Sequence, residues 1–504
     1  MVKAVKQLFS VVVLFTVVLF LPEVSLCQGM AQTHSGREEL SGATVMTLRQ
    51  CMEYAVEHSS KMISARADLS DARVERRDAI LRTFTPQVSG STYGYYNWGR
   101  SVDPETNTYS NIKSFHNGYS LSAGLVLFDG FSAVNNMSIA RTSVLMGISR
   151  QQQAEDEICL ATMEAWSNVL YFSQLSKILS DQVAAAELSL SKARKEEQLG
   201  RKAYADVVQM EADLADKQYQ RLQAQNKAED ALLSLKSVML WPLEEPLNLD
   251  ESEVMSIFSA MEVYGTSSFE NEKSGSLSGE GLDGSVCAVF RGDGPGDVKE
   301  MASVTEYALE HNPQAIIAEG NVDIAMRNLS TARWSLAPSL SLNGGWSTTY
   351  FTYPGRAGYS PVPFREQFKN NRGEYIQLSL SIPIYNRLQA HSSIRKRRNA
   401  YDKAVAERNQ KISELEAEVK RAFQDRRAQY SSMVLASKRA EVQEEACKLS
   451  IKKWEQGMIS AIEYQTALNN HLQAQADKMQ AQLLFLIKDK VLRYFKGESY
   501  LSQR

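Results

Sequence analysis

Alternation of apolar and polar residues marks a few short stretches of the chain, and helical periodicity fills most of the remainder. Within 118–130, Leu121, Ala123, Leu125 and Leu127 fall on one face of an extended segment, and Ser120, Ser122 and Gly124 fall on the other. That period of two is the signature of a β-strand with one apolar face. The pattern returns in 374–387, where Ile376, Leu378, Leu380, Ile382 and Ile384 alternate with Gln377, Ser379, Ser381 and Pro383. A strand richer in Ser, Thr, Gly and aromatics precedes each of them, so the pattern predicts strands over 87–98, 118–128, 339–351 and 374–385. Polar, proline-bearing loops are expected between the partners, at 99–116 and 352–371.

The rest reads as helix. A stripe of Leu48, Cys51, Ala55 and Val56 starts a helix at Thr47 that is expected to run to about Thr85, where Pro86 stops it. No proline occurs between Phe131 and Pro242, and Ile158, Met163, Trp166, Val169 and Leu170 recur at helical spacing. A helix over 131–199 would be about 100 Å long at about 1.5 Å per residue, which implies coiled-coil packing. Gly200 turns the chain into a second helix that returns to Trp241-Pro242. Then the order restarts. Glu306–His311 (Glu-Tyr-Ala-Leu-Glu-His) mirrors Glu53–His58 (Glu-Tyr-Ala-Val-Glu-His), and Pro338 stands where Pro86 stood. A long helix from about Leu388 to Gln456, with Ile412, Leu415, Val419 and Ala422 on one stripe, a turn at Gly457 and a last helix to Phe495 complete it. The chain is therefore two repeats, 45–242 and 301–495, each helix, strand, strand, long helix, helix. The segment 243–300, Ser/Gly/Glu-rich over 267–284, is expected to be a partly disordered linker or insertion, and 496–504 a tail.

Composition narrows the setting. The 504 residues are 43% hydrophobic and 23% charged with a net charge of -3, which gives no electrostatic reason for a nucleic-acid partner. Lys3 and Lys6 precede an apolar run over 8–21 that is too short for a span of about 20 residues and describes a secretory signal peptide over 1–31. Gly29 and Ala31 place a cleavage after Ala31; the alternative is lipidation at Cys27, with Leu26 before it. Cys51, Cys159, Cys287 and Cys447 are scattered without paired spacing and read as buried thiols. Any membrane crossing must then use strands. Two hairpins cannot close a barrel, and an open sheet edge has no place in lipid. Several copies must pool their strands, three copies supplying about twelve. Aromatic clusters at Tyr93, Tyr95, Tyr96 and Trp98, and at Trp346, Tyr350, Phe351 and Tyr353, fit an interfacial girdle.

This layout resembles the TolC family of outer-membrane efflux proteins over nearly the whole mature chain. The likeness is carried by the repeat openings at Thr47–Ala55 and Val304–Pro313, by Pro86 and Pro338, and by the strand-to-helix signature Leu127-Phe128-Asp129-Gly130, with Ile384-Tyr385-Asn386-Arg387 a weaker copy. The turns at Gly200 and Gly457 resemble the family's periplasmic tips. The resemblance implies a mainly α protein with a small membrane β-barrel contribution: a homotrimer with a twelve-stranded barrel in the outer membrane and a long coiled-coil tunnel through the periplasm. The segment 243–300 and the tail would form an equatorial belt. It also implies passive conduction of substrates, with partners in a periplasmic adaptor (membrane fusion) protein, an inner-membrane RND, ABC or MFS pump, and outer-membrane lipid.

Site residues follow from the same positions. Asp206 and Glu463, each six residues beyond its tip glycine, match the family's acidic periplasmic gate, where a ring of carboxylates would favour cations. Gln209 and Thr466 occupy the next inward positions. Gly200, Arg201, Lys202, Gly457, Met458 and Ile459 form the tip turns that would dock an adaptor, and Asp129, Gly130 and Asn386 the strand-to-helix hinges. Acids on such helices also serve as solvated faces. The basic run Arg395–Arg398 is a solvated face or a contact for anionic headgroups. No nucleophile elbow, phosphate loop or metal-spaced histidines occur, so no enzyme, metal or cofactor is expected, and His58 and His311 read as helix-end residues. The rival to a duct is a periplasmic coiled-coil scaffold without a pore.

Overall fold

A computed structural model describes residues 44–102, 107–252, 256–258, 297–355 and 359–501. The expected signal peptide over 1–31, Cys27, Cys287 and most of the segment 243–300 lie outside them. In chain order the elements are β1 (Thr44–Met46), α1 (Leu48–His58), α2 (Ser60–Phe84), β2 (Gln87–Val102), β3 (Tyr109–Phe128), α3 (Ser132–Gln198), α4 (Tyr204–Met239) and β4 (Leu247–Leu249). They continue with α5 (Asp297–His311), α6 (Pro313–Trp334), β5 (Ser339–Thr352), α7 (Phe364–Asn370), β6 (Gly373–Ser381), α8 (Gln389–Glu455) and α9 (Ala461–Phe495). The long helices α3 and α8 are both 67 residues, as the repeat demands.

The single helix expected from Thr47 to Thr85 is two helices. Ser59 is extended at ψ 130, ends α1, and caps α2 by accepting from the Lys61 amide at 3.2 Å. A short polar side chain that can bond the next turn's N–H competes with helix continuation. Asn312 makes the same break between α5 and α6, with Pro313 as the first helical residue. Before each break a histidine folds back on a tyrosine one turn earlier: Tyr54 and His58 stack at 4.0 Å, and Tyr307 and His311 at 4.3 Å. These are the helix-end histidines that the repeat predicted.

β2, β3, β5 and β6 form one antiparallel sheet in that order. The last strand, expected over 374–385, stops at Ser381, since Pro383 has no N–H to continue a ladder, whereas the strands of the first pair run further than expected. Residues 99–102 and 109–116 are paired strand rather than loop, because Gly99↔Ile112 and Tyr95↔His116 extend the hairpin ladder. The second loop holds α7, which the sequence did not predict. Gln367 of α7 is 4% exposed and imitates a strand: its Oε1 accepts from the Phe351 amide at 3.0 Å, and its Nε2 donates to the Phe351 carbonyl at 2.9 Å. That covers the part of β5 that β6 leaves unpaired.

The main core lies where the two repeats' helices meet at mid-length. Cys51, Met62, Cys159, Trp166, Leu235, Met239 and Phe485 are buried together. The tail joins this core through Tyr500, stacked on Tyr494. β1 and β4 pair in parallel, tying the start of the first repeat to the chain leaving α4. Cys51, Cys159 and Cys447 are free and buried, and burial pushes the Cys51 and Cys159 thiols up to about 12.

Candidate functional site

The register of the sheet sorts its side chains into two faces. Gln87, Ser89, Ser91, Ser120, Ser122, Asn343, Ser347, Gln377 and Ser379 share one face. Hydroxyl pairs cross it, Ser89 to Ser122 at 2.9 Å and Ser91 to Ser120 at 2.7 Å. Val88, Leu121, Ala123, Leu125, Leu342, Ile376, Leu378 and Leu380 share the other. Ile376, Leu378 and Leu380 are each about 60% exposed, a strip that water would penalise and lipid would not. The aromatic cluster expected as one girdle divides between the faces. Tyr96 and Trp98 lie on the apolar side, whereas Tyr93 and Tyr95 stack toward His116 on the polar side. One residue along a strand reverses the face, so neighbours in sequence cannot all serve one belt. Both outer strands, β2 and β6, have an unpaired edge.

At the hinges two consecutive residues take left-handed backbone in each repeat: Gly130 (φ 67) and Phe131 (φ 64), then Arg387 (φ 54) and Leu388 (φ 62). Asp129 Oδ1 accepts from the Ala133 amide at 3.2 Å, and Asn386 Oδ1 from the Ala390 amide at 3.4 Å. Each thus caps the long helix that follows. A Cβ on Gly130 would lie 2.4 Å from the Trp334 carbonyl oxygen, so glycine is needed there for close approach to the end of α6. Arg395, Lys396, Arg397 and Arg398 lie exposed just below the second hinge.

At the opposite ends of α3 and α8 the two tips are built alike. The Arg201 amide reaches the Glu196 carbonyl and the Gly200 amide the Glu197 carbonyl, both at 2.8 Å; Met458 to Lys453 and Gly457 to Trp454 repeat this at 2.9 Å. Both are Schellman turns with a left-handed glycine, at φ 69 and φ 71. Leu199, Tyr204, Met458 and Ile462 are each more than 60% exposed around them. Arg201 is exposed, and Ile459 is half-buried. Lys202 is turned inward: its Nζ sits 4.0 Å from the Trp454 ring centroid and 3.6 Å from Glu196. Trp454 in turn stacks on Tyr464 at 5.4 Å.

Asp206 and Glu463 both occupy the third residue of their helices, where an acid complements the helix dipole. They differ in partner. Glu463 Oε2 accepts from the Ser460 amide at 2.9 Å, and Ser460 Oγ accepts from the Glu463 amide at 3.2 Å, a complete capping box. Ala203 stands at the capping position before Asp206 and offers no such bond. Thr466 bonds back to the Ile462 carbonyl at 2.8 Å. Gln209 instead meets Gln465, which joins α4 to α9. Neither that pair nor the Lys202–Trp454 contact carries a sequence signal, since the partners lie some 250 residues apart.

Comparison with known proteins bears on this arrangement. Residues 52–239 and 304–495 match the family model described as outer membrane efflux protein, one match per repeat. No curated protein sequence matches the chain. The outer-membrane channel OprN has a similar structure, with a TM-score of 0.68 at 17% identity over 90% of this chain and 91% of its own. The outer membrane protein VceC of Vibrio cholerae gives 0.67 at 13% identity, over 90% of this chain and 96% of its own. The CmeC outer membrane channel of Campylobacter jejuni gives 0.67 at 15%, over 91% and 87%. At such identities these likenesses speak to fold.

Proposed function

The chain belongs to the outer membrane efflux protein family, and from that premise we propose that it is the exit duct of a tripartite efflux or secretion machine. Its place in the outer membrane follows from the family, which is one of efflux channel proteins. The observation that carries the finer reading is the sheet. It has one polar face, one lipid-compatible face and two open edges, and it hangs on capped hinges above helices about 100 Å long at about 1.5 Å per residue. Copies joined β6 to β2 satisfy both edges at once. Three copies close a barrel of about twelve strands with the serine face inward.

Within that assembly the helices continue as a periplasmic tunnel that narrows at the tips. Asp206 lines the constriction, its carboxylate unclaimed among the described residues, while Glu463 contributes as a helix cap. Arg201, Met458 and the exposed Leu199 and Ile462 form the docking rim for a periplasmic adaptor, which links the duct to an inner-membrane pump. Lys202 and Ile459 shape the rim from behind. Conduction is passive, and cargo is chosen by the pump. Membrane fractionation with planar-bilayer recording tests this: an outer-membrane trimer with discrete conductance steps is expected. A monomer that never inserts would overturn it.

A further inference from the structure

The serine face of the sheet carries no Asp, Glu, Lys or Arg along β2, β3, β5 and β6. The residues of those types in these strands, Arg100, Lys113 and Glu374, all fall on the apolar face by register. What the serine face carries instead is a row of flat rings. Tyr93 and Tyr95 on β2 lie 6.1 Å apart at 13°, and Tyr95 and His116 on β3 lie 5.0 Å apart at 11°. His116 and Phe351 on β5 continue the row at 6.4 Å and 29°. Tyr95, His116 and Phe351 occupy one rung of the ladder, so nearly parallel rings cross three strands.

Glycines make room for these rings. Tyr93 stands opposite Gly118, and Tyr375 of β6 stands opposite Gly345. A Cβ on Gly118 would collide with the Tyr93 ring, and one on Gly345 would lie 2.7 Å from Tyr375 Cε1. Glycine in a strand marks such a close approach, and here it lets each ring lie down over its neighbour and turn a flat side outward. Tyr93, Tyr375 and Tyr95 nevertheless stay 54%, 50% and 49% exposed. Rings on the apolar face serve at the membrane interface. Rings on the face that meets water have no such use, and exposed apolar surface gathered there marks a place of contact.

We propose that this row is a stacking shelf for planar, uncharged aromatic solutes leaving through the barrel. The inference rests on the duct reading, with the serine face inward. Flat rings held parallel to one another offer the offset-stacked geometry that aromatic pairs prefer. Without a charged side chain beside them, they give an ion no partner to offset its lost hydration, whereas an uncharged ring loses little. The hydroxyls of Tyr93, Tyr95 and the neighbouring serines accept or donate to polar groups at the solute's edge. Such binding is weak, as a duct requires, since a conducting site must release what it holds. Three copies would set three shelves around the lumen.

The full chain in a planar bilayer is given caffeine, planar and uncharged, or sorbitol, uncharged and acyclic, at equal concentrations on both sides. Caffeine is expected to lower the single-channel current saturably, and sorbitol only in proportion to viscosity. One stacked pair corresponds to about a threefold gain in affinity, so Tyr93→Ser combined with Tyr95→Ser should weaken the caffeine block roughly tenfold. Tyr95→Phe keeps the ring and should keep the block. Equal effects of caffeine and sorbitol, or an undiminished block in the double variant, overturn the shelf. Should the double variant not insert, Tyr95→Ser against Tyr95→Phe decides in its place, and equal block by those two overturns the shelf. A native chain without conductance steps overturns the duct reading and the shelf together, whereas native steps indifferent to caffeine overturn the shelf alone.

Discussion

Gln209 and Gln465 bind each other across the two tips: Gln209 Nε2 donates to Gln465 Oε1 at 3.2 Å, and Gln465 Nε2 donates to the Gln209 carbonyl oxygen at 3.2 Å. The pair fastens the second turns of α4 and α9, the helices that must part if the tips open. A neutral hydrogen bond contributes about 1 kcal/mol, so losing both costs about 2 kcal/mol. At about 1.4 kcal/mol per factor of ten, Gln465→Ala is expected to raise the open fraction up to roughly thirtyfold. Single-channel recording measures this directly. Open times identical to those of the native chain would show that the pair does not restrain the tips.

Gly130 and Gly200 share a left-handed backbone but not a neighbourhood. A Cβ at Gly200 meets nothing within 4 Å, so Gly200→Ala bears only the conformational cost of about 1–2 kcal/mol. At Gly130 the same Cβ would press to 2.4 Å of the Trp334 carbonyl oxygen, which α6 holds in place. Arg387 adopts the matching conformation in the second repeat, so the close contact rather than φ is what demands glycine. Gly130→Ala is expected to lower the melting temperature well beyond Gly200→Ala, and equal losses would refute the distinction.

For the acids at the tips, the capping box separates two roles. Glutamine at the third helical position still completes the box, so Glu463→Gln should leave conductance and divalent-cation block near native. Asp206→Asn should weaken both cation preference and divalent block. Selectivity measured in asymmetric salt distinguishes them. An effect of Glu463→Gln as large as that of Asp206→Asn would place both carboxylates in the conduction path.

Much of this was legible in the residues because it rests on local pattern. Alternation at Leu121–Leu127 and Ile376–Leu380 located two strands, although the pattern ran on to Ile384, beyond the strand's end at Ser381. Freedom from proline after Phe131 located a 67-residue helix, and the doubled Glu-Tyr-Ala…His motif revealed the repeat. The errors came from single side chains that act on the backbone. Ser59 breaks a helix whose apolar stripe runs on past it, and Gln367 stands in for a strand inside a polar loop. The aromatic cluster was misread because register, not proximity in sequence, decides which face Tyr93 or Tyr96 occupies. The Gln209–Gln465 pair was out of reach, since nothing local foretells a contact across 256 residues.

Asp156 gives the fold a defined dependence on pH. Burial raises its pKa above the ordinary value, hydrogen bonds from Tyr494 and then Gln152 oppose this, and the charges of Glu155 and Glu157 add to the rise. Tyr494, Tyr500, Arg421, Glu418, Asp425 and Lys488 line the cleft beside it, and His311 and Glu498 an adjoining one. With the folded pKa above the unfolded one, the native chain keeps the proton after the unfolded chain has released it. Stability therefore falls as pH rises through that interval, and the penalty is complete once the buried carboxylate is charged. Asp156→Asn removes the penalty, so it should melt higher than the native protein at pH 7.5. The gain should shrink to nothing as the pH approaches the ordinary aspartate value of about 3.9. Glu157, paired with Lys61, has the opposite sense, its pKa being lowered, so it loses stability on acidification. It is present in both proteins and cancels in the difference. A melting-temperature gain that persists or grows at low pH would show that Asp156 matters through packing instead of charge.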